Sequence, residues 1–320
     1  MRKVAIALAA VLMLVGVVGC SSSDDKKETD ATATEVQIAS ADIMPSLNED
    51  GEFPVLEFPS SKPPAGLQLL VLEKGKGRTV ESTDLIVANY VGQVWGNADP
   101  FDSSFERKMS TSFELFKVIP GWQKGLAGLQ EGAKVILSIP PEMGYGDQGA
   151  PSAGIGGADT IAFYVEVVAA YGNDQAGDPD AAMQVELDSL PVAVTGELGK
   201  PVTIKVKDSA EPPAELTTTV IARGSGAPVG GEDSRVYISY AMTLWDNSQK
   251  EETYAGNGPQ EVPIVEGSPF VALSGIPVGS RVLITAPANG GDGSDSKNPV
   301  TTPAYAIMVD ILGIQLPPEK

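Results

Sequence analysis

The chain has 320 residues, enough for two domains that each have a hydrophobic core. Its formal net charge of −20 argues against nucleic acid as a partner, because contact with phosphates requires a basic face. Histidine is absent and Cys20 is the only cysteine, which excludes serine–histidine and cysteine–histidine catalysis, a histidine-based metal site and an intramolecular disulfide.

The first twenty residues have the pattern of a bacterial export signal. Two basic residues precede the apolar run 4–18, which is too short for a comfortable transmembrane span. The run ends in VVGC (17–20), which resembles the lipobox, whose cysteine is lipidated and becomes the new N-terminus. We therefore predict a lipoprotein signal peptide over residues 1–19 and lipidation at Cys20. The protein would then be held on the extracytoplasmic face of the cell membrane by its lipid alone. A plain secretory signal with a chance cysteine is the alternative.

A polar segment follows the signal. Residues 21–36 are rich in Ser, Asp, Lys, Thr and Ala and show no apolar periodicity. We expect a lipidated, disordered tether over residues 20–50 that lifts the rest of the chain off the bilayer.

The remaining sequence contains two copies of one unit. Residues 67–95 and 216–245 share a strand-like run, a Gly-x-Gly and a second strand with Tyr and Trp at matching places. GLQEGAKVILSIP (128–140) likewise matches GIPVGSRVLITAP (275–287).

A Gly-, Asp- and Pro-rich stretch at 172–179 separates the two copies. We therefore predict a first domain over residues 51–172, a linker over 173–199 and a second domain over 200–320.

Apolar runs separated by Gly-rich turns predict β-strands in both copies, with room for only one short helix in each. In the first copy the helix is predicted over residues 122–129, where Trp122, Leu126 and Leu129 have helical spacing. The expected fold is α+β, with a mostly antiparallel sheet wrapped around one short α-helix in each domain.

Several short motifs follow one another in the first copy. They are Tyr90, FDSS (101–104), VIPGW (118–122), GAKV (132–135), YG (145–146) and Phe163. In this order they resemble the signature of FKBP-type peptidyl-prolyl cis-trans isomerases, over about residues 66–170. The resemblance implies a curved sheet whose concave face is crossed by the helix, and a cavity between them that takes a proline ring.

The resemblance also implies the site residues. The catalytic cavity would be formed by Tyr90, Phe101, Asp102, Val118, Ile119, Trp122, Tyr145 and Phe163. Trp122 would be its floor, while the Tyr145 hydroxyl and the Ile119 N–H would each donate to a substrate carbonyl. Arg107 and Ile155 are expected at the rim, and neither a metal nor a cofactor is implied. Taken singly, Trp122 and Phe163 would be core residues, Tyr90 a cross-strand packing residue and residues 101–103 a turn, and only their joint order favours a site.

Two departures from the family predict weaker substrate binding or a different preference for the residue before proline. A wall position that is often aromatic falls at Thr111 by our alignment. The loop 147–159 is rich in Gly and Ala, and Ile155 is its only sizeable apolar residue.

The second copy departs further. Tyr240 and Trp245 match Tyr90 and Trp95, but three cavity elements are replaced, namely FDSS by Asn247–Lys250, Trp122 by Pro269–Phe270 and Phe163 by Ile307. We predict a degenerate, inactive second domain.

The predicted function is acceleration of X–Pro isomerisation in exported proteins, by non-covalent stabilisation of the twisted imide in an apolar aromatic cavity. The expected partners are Pro-containing segments of exported polypeptides, with a macrolide as a possible ligand. The alternative is a non-catalytic, chaperone-like or scaffolding lipoprotein that binds Pro-containing segments. The degenerate second copy and the thin loop favour that alternative, and the intact motifs favour catalysis.

Overall fold

The computed structural model describes residues 35–232, 234–290 and 301–315. The predicted signal peptide, Cys20 and the first part of the predicted tether lie outside these ranges. No helix in the described ranges is long and apolar enough to cross a membrane. One α-helix, α1, spans Pro120–Leu126.

The strands of the N-terminal half (35–172) are β1 (Gln37–Ile38), β2 (Ser46–Asn48), β3 (Val55–Glu57), β4 (Gln68–Glu73), β5 (Leu85–Val94), β6 (Asp102–Ser103), β7 (Thr111–Glu114), β8 (Lys134–Ile139) and β9 (Ile161–Tyr171). Those of the C-terminal half (described residues of 173–315) are β10 (Ala182–Met183), β11 (Val192–Thr195), β12 (Thr203–Val206), β13 (Thr217–Arg223), β14 (Arg235–Leu244), β15 (Lys250–Glu252), β16 (Gln260–Pro263), β17 (Arg281–Ala286), β18 (Asn289–Gly290), β19 (Thr301–Thr302) and β20 (Tyr305–Ile314).

Apart from the two-stranded pairs β2–β3, β11–β12 and β18–β19, the described strands form two seven-stranded sheets of equivalent connectivity. The first has the order β1-β4-β8-β9-β5-β6 with β7 also on β5, and the second the order β10-β13-β17-β20-β14-β15 with β16 also on β14. In the first sheet every pair is antiparallel except β1 with β4. Even the register shift between Val71 and Glu73 in β4 has a counterpart between Val220 and Ala222 in β13. The sheets, with a single short α-helix among the described residues, confirm the predicted α+β class.

Both faces of the first sheet are covered, which explains why its central strands are apolar without alternation. Residues such as Tyr90 and Phe163 lie on one face of the sheet and pack with α1. On the opposite face, Tyr164 packs with Met44 and Leu56 from the β2–β3 region.

The helix begins and ends earlier than the predicted 122–129. Pro120 occupies a first-turn position, where its missing N–H costs nothing, and Gly128 adopts a φ of +85° just beyond the end. Gly121 and Gly125 lie one turn apart on the face that meets β8. A Cβ atom at either would stand 2.5 Å from a carbon of Ile139 or Leu137, so the two glycines let the helix lie close against the sheet.

The prediction of one α-helix per copy is wrong for the second copy in the described ranges. Its counterpart of α1 is the 3₁₀-helix Pro269–Leu273. The two segments can be compared between equivalent points. The N–H of Leu115 donates to the carbonyl just before β5, and that of Ile264 donates to the carbonyl just before β14. Leu126 and Leu273 both lie buried at the helix end. The second segment is two residues shorter between these points, which leaves too little chain for two α-helical turns.

The predicted tether extends too far along the chain. Gln37–Ile38 already pairs with β4, and Met44 is only 3% exposed. The boundary at residue 50 also divides the β2–β3 hairpin. Apolar residues too widely spaced to show a period, such as Met44 and Leu47, cover the outer face of the sheet.

The predicted linker 173–199 is part of the C-terminal half. β10 pairs with β13, and β11 pairs with β12 across the predicted boundary at residue 200. Leu190 and Val192 are buried. The linker was predicted from the Gly- and Pro-rich residues at the start of this segment, and the apolar residues that follow them were not taken into account.

Candidate active site

An open cavity of about 230 Å³ lies between α1 and the face of the first sheet that packs with it. Its lining residues are Tyr90, Phe101, Asp102, Phe113, Lys117, Val118, Ile119, Trp122, Tyr145 and Phe163. All eight residues predicted as catalytic are among them, although they come from five separate places in the sequence.

The floor and walls are aromatic rings in edge-to-face contact. The Trp122 ring centroid lies 5.4 Å from that of Tyr90, 5.2 Å from that of Phe113 and 5.2 Å from that of Phe163. Phe101 meets Phe163 at 5.5 Å and 87°. Such pairs contribute about 0.5–1.5 kcal/mol each beyond their burial, so the rings hold one another in place and the cavity keeps its shape.

The strand register sets which rings face the cavity. Tyr90 lies opposite Val165 and Gly92 opposite Phe163 on the β5–β9 pair, and alternate residues share the face that packs with α1. A Cβ atom on Gly92 would lie 2.5 Å from Phe163 Cε1 and 2.7 Å from Phe101 Cζ. Only glycine at this position lets the two phenyl rings meet.

A polar network closes one side of the rim. Tyr90 Oη donates to Asp102 Oδ2 at 2.5 Å, Arg107 forms an ion pair with Asp102, and Arg107 Nη2 donates to Tyr90 Oη at 2.9 Å. The guanidinium carbon also lies 5.6 Å from the Tyr90 ring centroid. Burial, reinforced by the hydrogen bond to Asp102, raises the pKa of Tyr90 to about 12. Arg107 therefore stands where the prediction puts it, beside Asp102 and Tyr90.

Besides the buried Trp122 Nε1–H, two donors at the cavity have no acceptor among the described residues. The Tyr145 side chain is 41% exposed, and its hydroxyl makes no hydrogen bond there. Burial, with a smaller effect of the Asp102 charge, raises the pKa of Tyr145, so its hydroxyl keeps its proton at neutral pH. The Ile119 N–H, directly before α1, is likewise unpaired, while the Ile119 carbonyl accepts from Trp122 and Gln123. Both can donate to carbonyl groups of a bound chain.

The prediction that Ile155 stands at the rim is wrong. Ile155 is 2% exposed and packs in the core, where it anchors the loop 147–159 through a bridge with Ala150. As the only large apolar side chain of this loop, it is the one that gains most from burial.

The aromatic wall position is Phe113 rather than Thr111. Residues two apart on a strand share a face, so the two positions are easily exchanged in an alignment. Phe113 lines the cavity and contacts Tyr90 at 5.6 Å, whereas Thr111 lies near Arg107 Nη2 at 3.4 Å. The weaker binding predicted from Thr111 therefore has no basis.

Lys117 also lines the cavity. It was not predicted from the sequence, because a lysine next to apolar residues is normally expected at the protein surface.

The C-terminal half keeps the strands of this site but not its rings. Met242 lies opposite Ile307, the pair that corresponds to Gly92 and Phe163. FDSS corresponds to Lys250–Thr253 rather than to the predicted Asn247–Lys250, because Met242 pairs with Glu251 as Gly92 pairs with Asp102. Tyr240 still donates to Glu251 at 2.5 Å. The tyrosine–carboxylate contact is thus present in both halves, while the positions that correspond to Gly92, Phe101 and Phe163 hold Met242, Lys250 and Ile307.

Comparisons with known proteins agree with this geometry. The family model of the FKBP-type peptidyl-prolyl cis-trans isomerase matches residues 76–168. A probable FKBP-type peptidyl-prolyl cis-trans isomerase of Haemophilus influenzae is 35% identical over 155 residues, which cover 45% of this chain and 64% of that protein. The FKBP-type peptidyl-prolyl cis-trans isomerase FkpA of Escherichia coli is 42% identical over 103 residues, 32% of this chain and 37% of that protein.

The chain thus spans less than two thirds of either of these relatives. An FK506-binding protein of Streptomyces anulatus is 32% identical over 120 residues, which cover 37% of this chain and 97% of that protein. With a relative matched over nearly its whole length, this chain belongs to the family of FKBP-type peptidyl-prolyl cis-trans isomerases.

Proposed function

We propose that this protein is a peptidyl-prolyl cis-trans isomerase that acts on exported polypeptides, with its site in the N-terminal half. The observation that carries the proposal is the open cavity with its rigid aromatic lining and the two unpaired donors at Tyr145 and Ile119. A proline ring fits a cavity of this size and apolar character, and the donors can bind the carbonyls on either side of it.

The reaction needs no acid, base or nucleophile. Rotation about the X–Pro bond crosses a barrier of about 18–20 kcal/mol because it breaks amide resonance. In the twisted state the imide has lost its double-bond character and the charge separation that accompanies it. An apolar cavity therefore favours the twisted imide over the planar one, which water solvates better. Trp122, Phe163 and Phe101 supply such surroundings.

The magnitudes are compatible with this cavity. A millionfold acceleration requires about 8 kcal/mol of differential stabilisation. Each hydrogen bond that forms better in the transition state supplies about 0.5–1.5 kcal/mol. Most of the effect would then come from the preference of the apolar lining for the twisted imide and from holding the proline ring still while the preceding residue turns.

The remaining parts of the proposal concern location and organisation. Lipidation at Cys20 would anchor the protein to the extracytoplasmic face of the membrane, since the diacylglyceryl group of a lipoprotein supplies the two chains that stable anchoring needs. Pro-containing segments of exported proteins would be the substrates, and a macrolide such as FK506 would compete with them. The C-terminal half would be catalytically inactive, because its cavity positions hold Met242, Lys250 and Ile307.

The test is an NMR exchange measurement of cis–trans interconversion in short X–Pro peptides. The intact chain should accelerate exchange, FK506 should inhibit it, and Phe163→Ala should lower kcat/KM at least about tenfold. Ile307→Ala, the matching change in the C-terminal half, is the control and should leave kcat/KM nearly unchanged. If the folded chain binds the peptides without accelerating exchange, the non-catalytic, proline-binding function replaces this proposal.

A further inference from the structure

One wall of the cavity is carried by β7, a short strand at the edge of the first sheet. In the described chain, β5 is the only strand that pairs with β7. Phe113 lies on this strand, and the lining residues Lys117, Val118 and Ile119 follow it directly. Short edge strands belong to the parts of a fold that open most readily, so the position of this wall depends on what else holds β7.

The outer side of β7 is held by the C-terminal half. Successive side chains of a strand point to opposite faces, so Ser112 points away from the cavity that Phe113 lines. The Ser112 hydroxyl donates to Glu261 Oε2 on β16. Glu261 is itself fixed by Arg235, whose Nη1 lies 2.6 Å from Glu261 Oε1. A hydrogen bond to a carboxylate that is only 16% exposed is stronger than one between neutral groups.

Further contacts continue this interface. Gln315 Nε2 donates to the Ser110 carbonyl at 2.8 Å, directly before β7. On the neighbouring strands, the Tyr171 and Tyr237 ring centroids lie 5.1 Å apart within a buried cluster that includes Leu85, Val87 and Leu312. Gly313 leaves room for Tyr171, because a Cβ atom there would overlap the Tyr171 hydroxyl. The two sheets are thus packed closely at the outer face of β5, β7 and β9.

We propose that the C-terminal half positions the Phe113 wall of the cavity, with Ser112 and Glu261 as positioning residues. The C-terminal half, which lacks the aromatic residues of the cavity, would then still contribute to the activity of the N-terminal half. This inference rests on the proposed function, since it assigns a role in the same site. The physical step is short, because fixing the Cα atom of Ser112 also fixes that of Phe113 beside it.

The experiment uses the intact chain and the variants Glu261→Ala, Ser112→Ala and their combination. Each single change should lower kcat/KM at least about fivefold. The double variant should be no less active than the less active of the two single variants, because both changes remove the same contact. Amide hydrogen exchange in Ser112–Leu115 should accelerate about tenfold, while that of β8 should not change. Asp208→Ala is the control, since this carboxylate in the same half is 96% exposed, and it should alter neither quantity.

Several results would overturn the inference. One is an amide hydrogen exchange rate in Ser112–Leu115 that is the same in the variants as in the unchanged chain. Another is a double variant whose fold-loss in kcat/KM equals the product of the fold-losses of the two single variants. Faster exchange throughout β8 and β9 would also overturn it, because the changes would then act on the whole fold. An intact chain without isomerase activity would refute the proposed function instead, and the exchange of β7 would still decide whether Glu261 holds the wall.

Discussion

Gly92 is the position at which one side chain should separate catalysis from folding. In the C-terminal half the same place in the same strand pair holds Met242, opposite Ile307. We therefore expect Gly92→Met to be accepted by the strands but to close the cavity. A Cβ atom would lie 2.5 Å from Phe163 Cε1 and 2.7 Å from Phe101 Cζ, so both rings must move.

The structure gives the size of the effect. Overpacking of this kind costs about 1–3 kcal/mol of unfolding free energy, which a domain with about 5–15 kcal/mol of stability survives. The thioether chain would extend into a cavity of about 230 Å³, which cannot hold it together with a proline ring. The expected loss in kcat/KM is at least about tenfold, or 1.4 kcal/mol in the transition state.

The assay pairs NMR exchange of an X–Pro peptide with urea unfolding of the same samples. Val168→Met is the matched control, because Val168 is on β9 but 36% exposed and outside this cavity, and it should change neither quantity appreciably. A folded Gly92→Met variant that keeps more than half of the original kcat/KM would refute the reasoning, since the proline ring would then not occupy this space.

Three further outcomes are expected. Phe163→Ala should cost about 3–5 kcal/mol of stability in urea unfolding, because it leaves a hole beside Trp122 and Phe101, and an unchanged midpoint would contradict its core position. Tyr145→Phe should lower kcat/KM about two- to tenfold in the exchange assay with little change in stability, since only a donor is removed, and an unaltered rate would show that the hydroxyl does not contact the substrate. kcat/KM should stay level from pH 7 to about pH 9, because burial raises the pKa of Tyr145 above its usual range and that of Tyr90 to about 12, so both hydroxyls remain protonated. Stability should fall as the pH rises through the Tyr90 pKa of about 12, since the unfolded chain loses this proton near pH 10 and the folded chain holds it longer. A rate that declines below pH 9 would contradict this assignment.

The sequence predicts the cavity well because its residues occur in short motifs with fixed order. FDSS, VIPGW and YG supply six of the eight predicted site residues, and all eight line one cavity. The prediction was less accurate where position depends on strand register. Thr111 and Phe113 lie on the same face of β7, and only the pairing of Ile86 with Phe113 decides which of them is beside Trp122.

The boundaries and the interface were harder to predict for different reasons. The apolar residues from 37 to 57 and from 182 to 199 show no regular period, and the strands β1 and β10 in these segments pair with β4 and β13, which lie well beyond them in the chain. The contact between Ser112 and Glu261 joins residues 149 positions apart, and nothing local in either segment indicates it. Ile155 looks like an exposed contact by composition, but it is buried because the loop folds back on itself.

The most direct measurement follows the indole N–H signals of the three tryptophans while a short X–Pro peptide is added. Trp122 lies at the cavity floor, whereas the indole N–H groups of Trp95 and Trp245 donate to the carbonyls of Ser61 and Ala210, away from the cavity. We expect the Trp122 signal alone to shift, at the peptide concentrations that produce accelerated exchange, and the same peptide with Ala in place of Pro to leave it unchanged. Accelerated exchange without any shift of Trp122, or an equal shift with the Ala peptide, would contradict catalysis in this aromatic cavity.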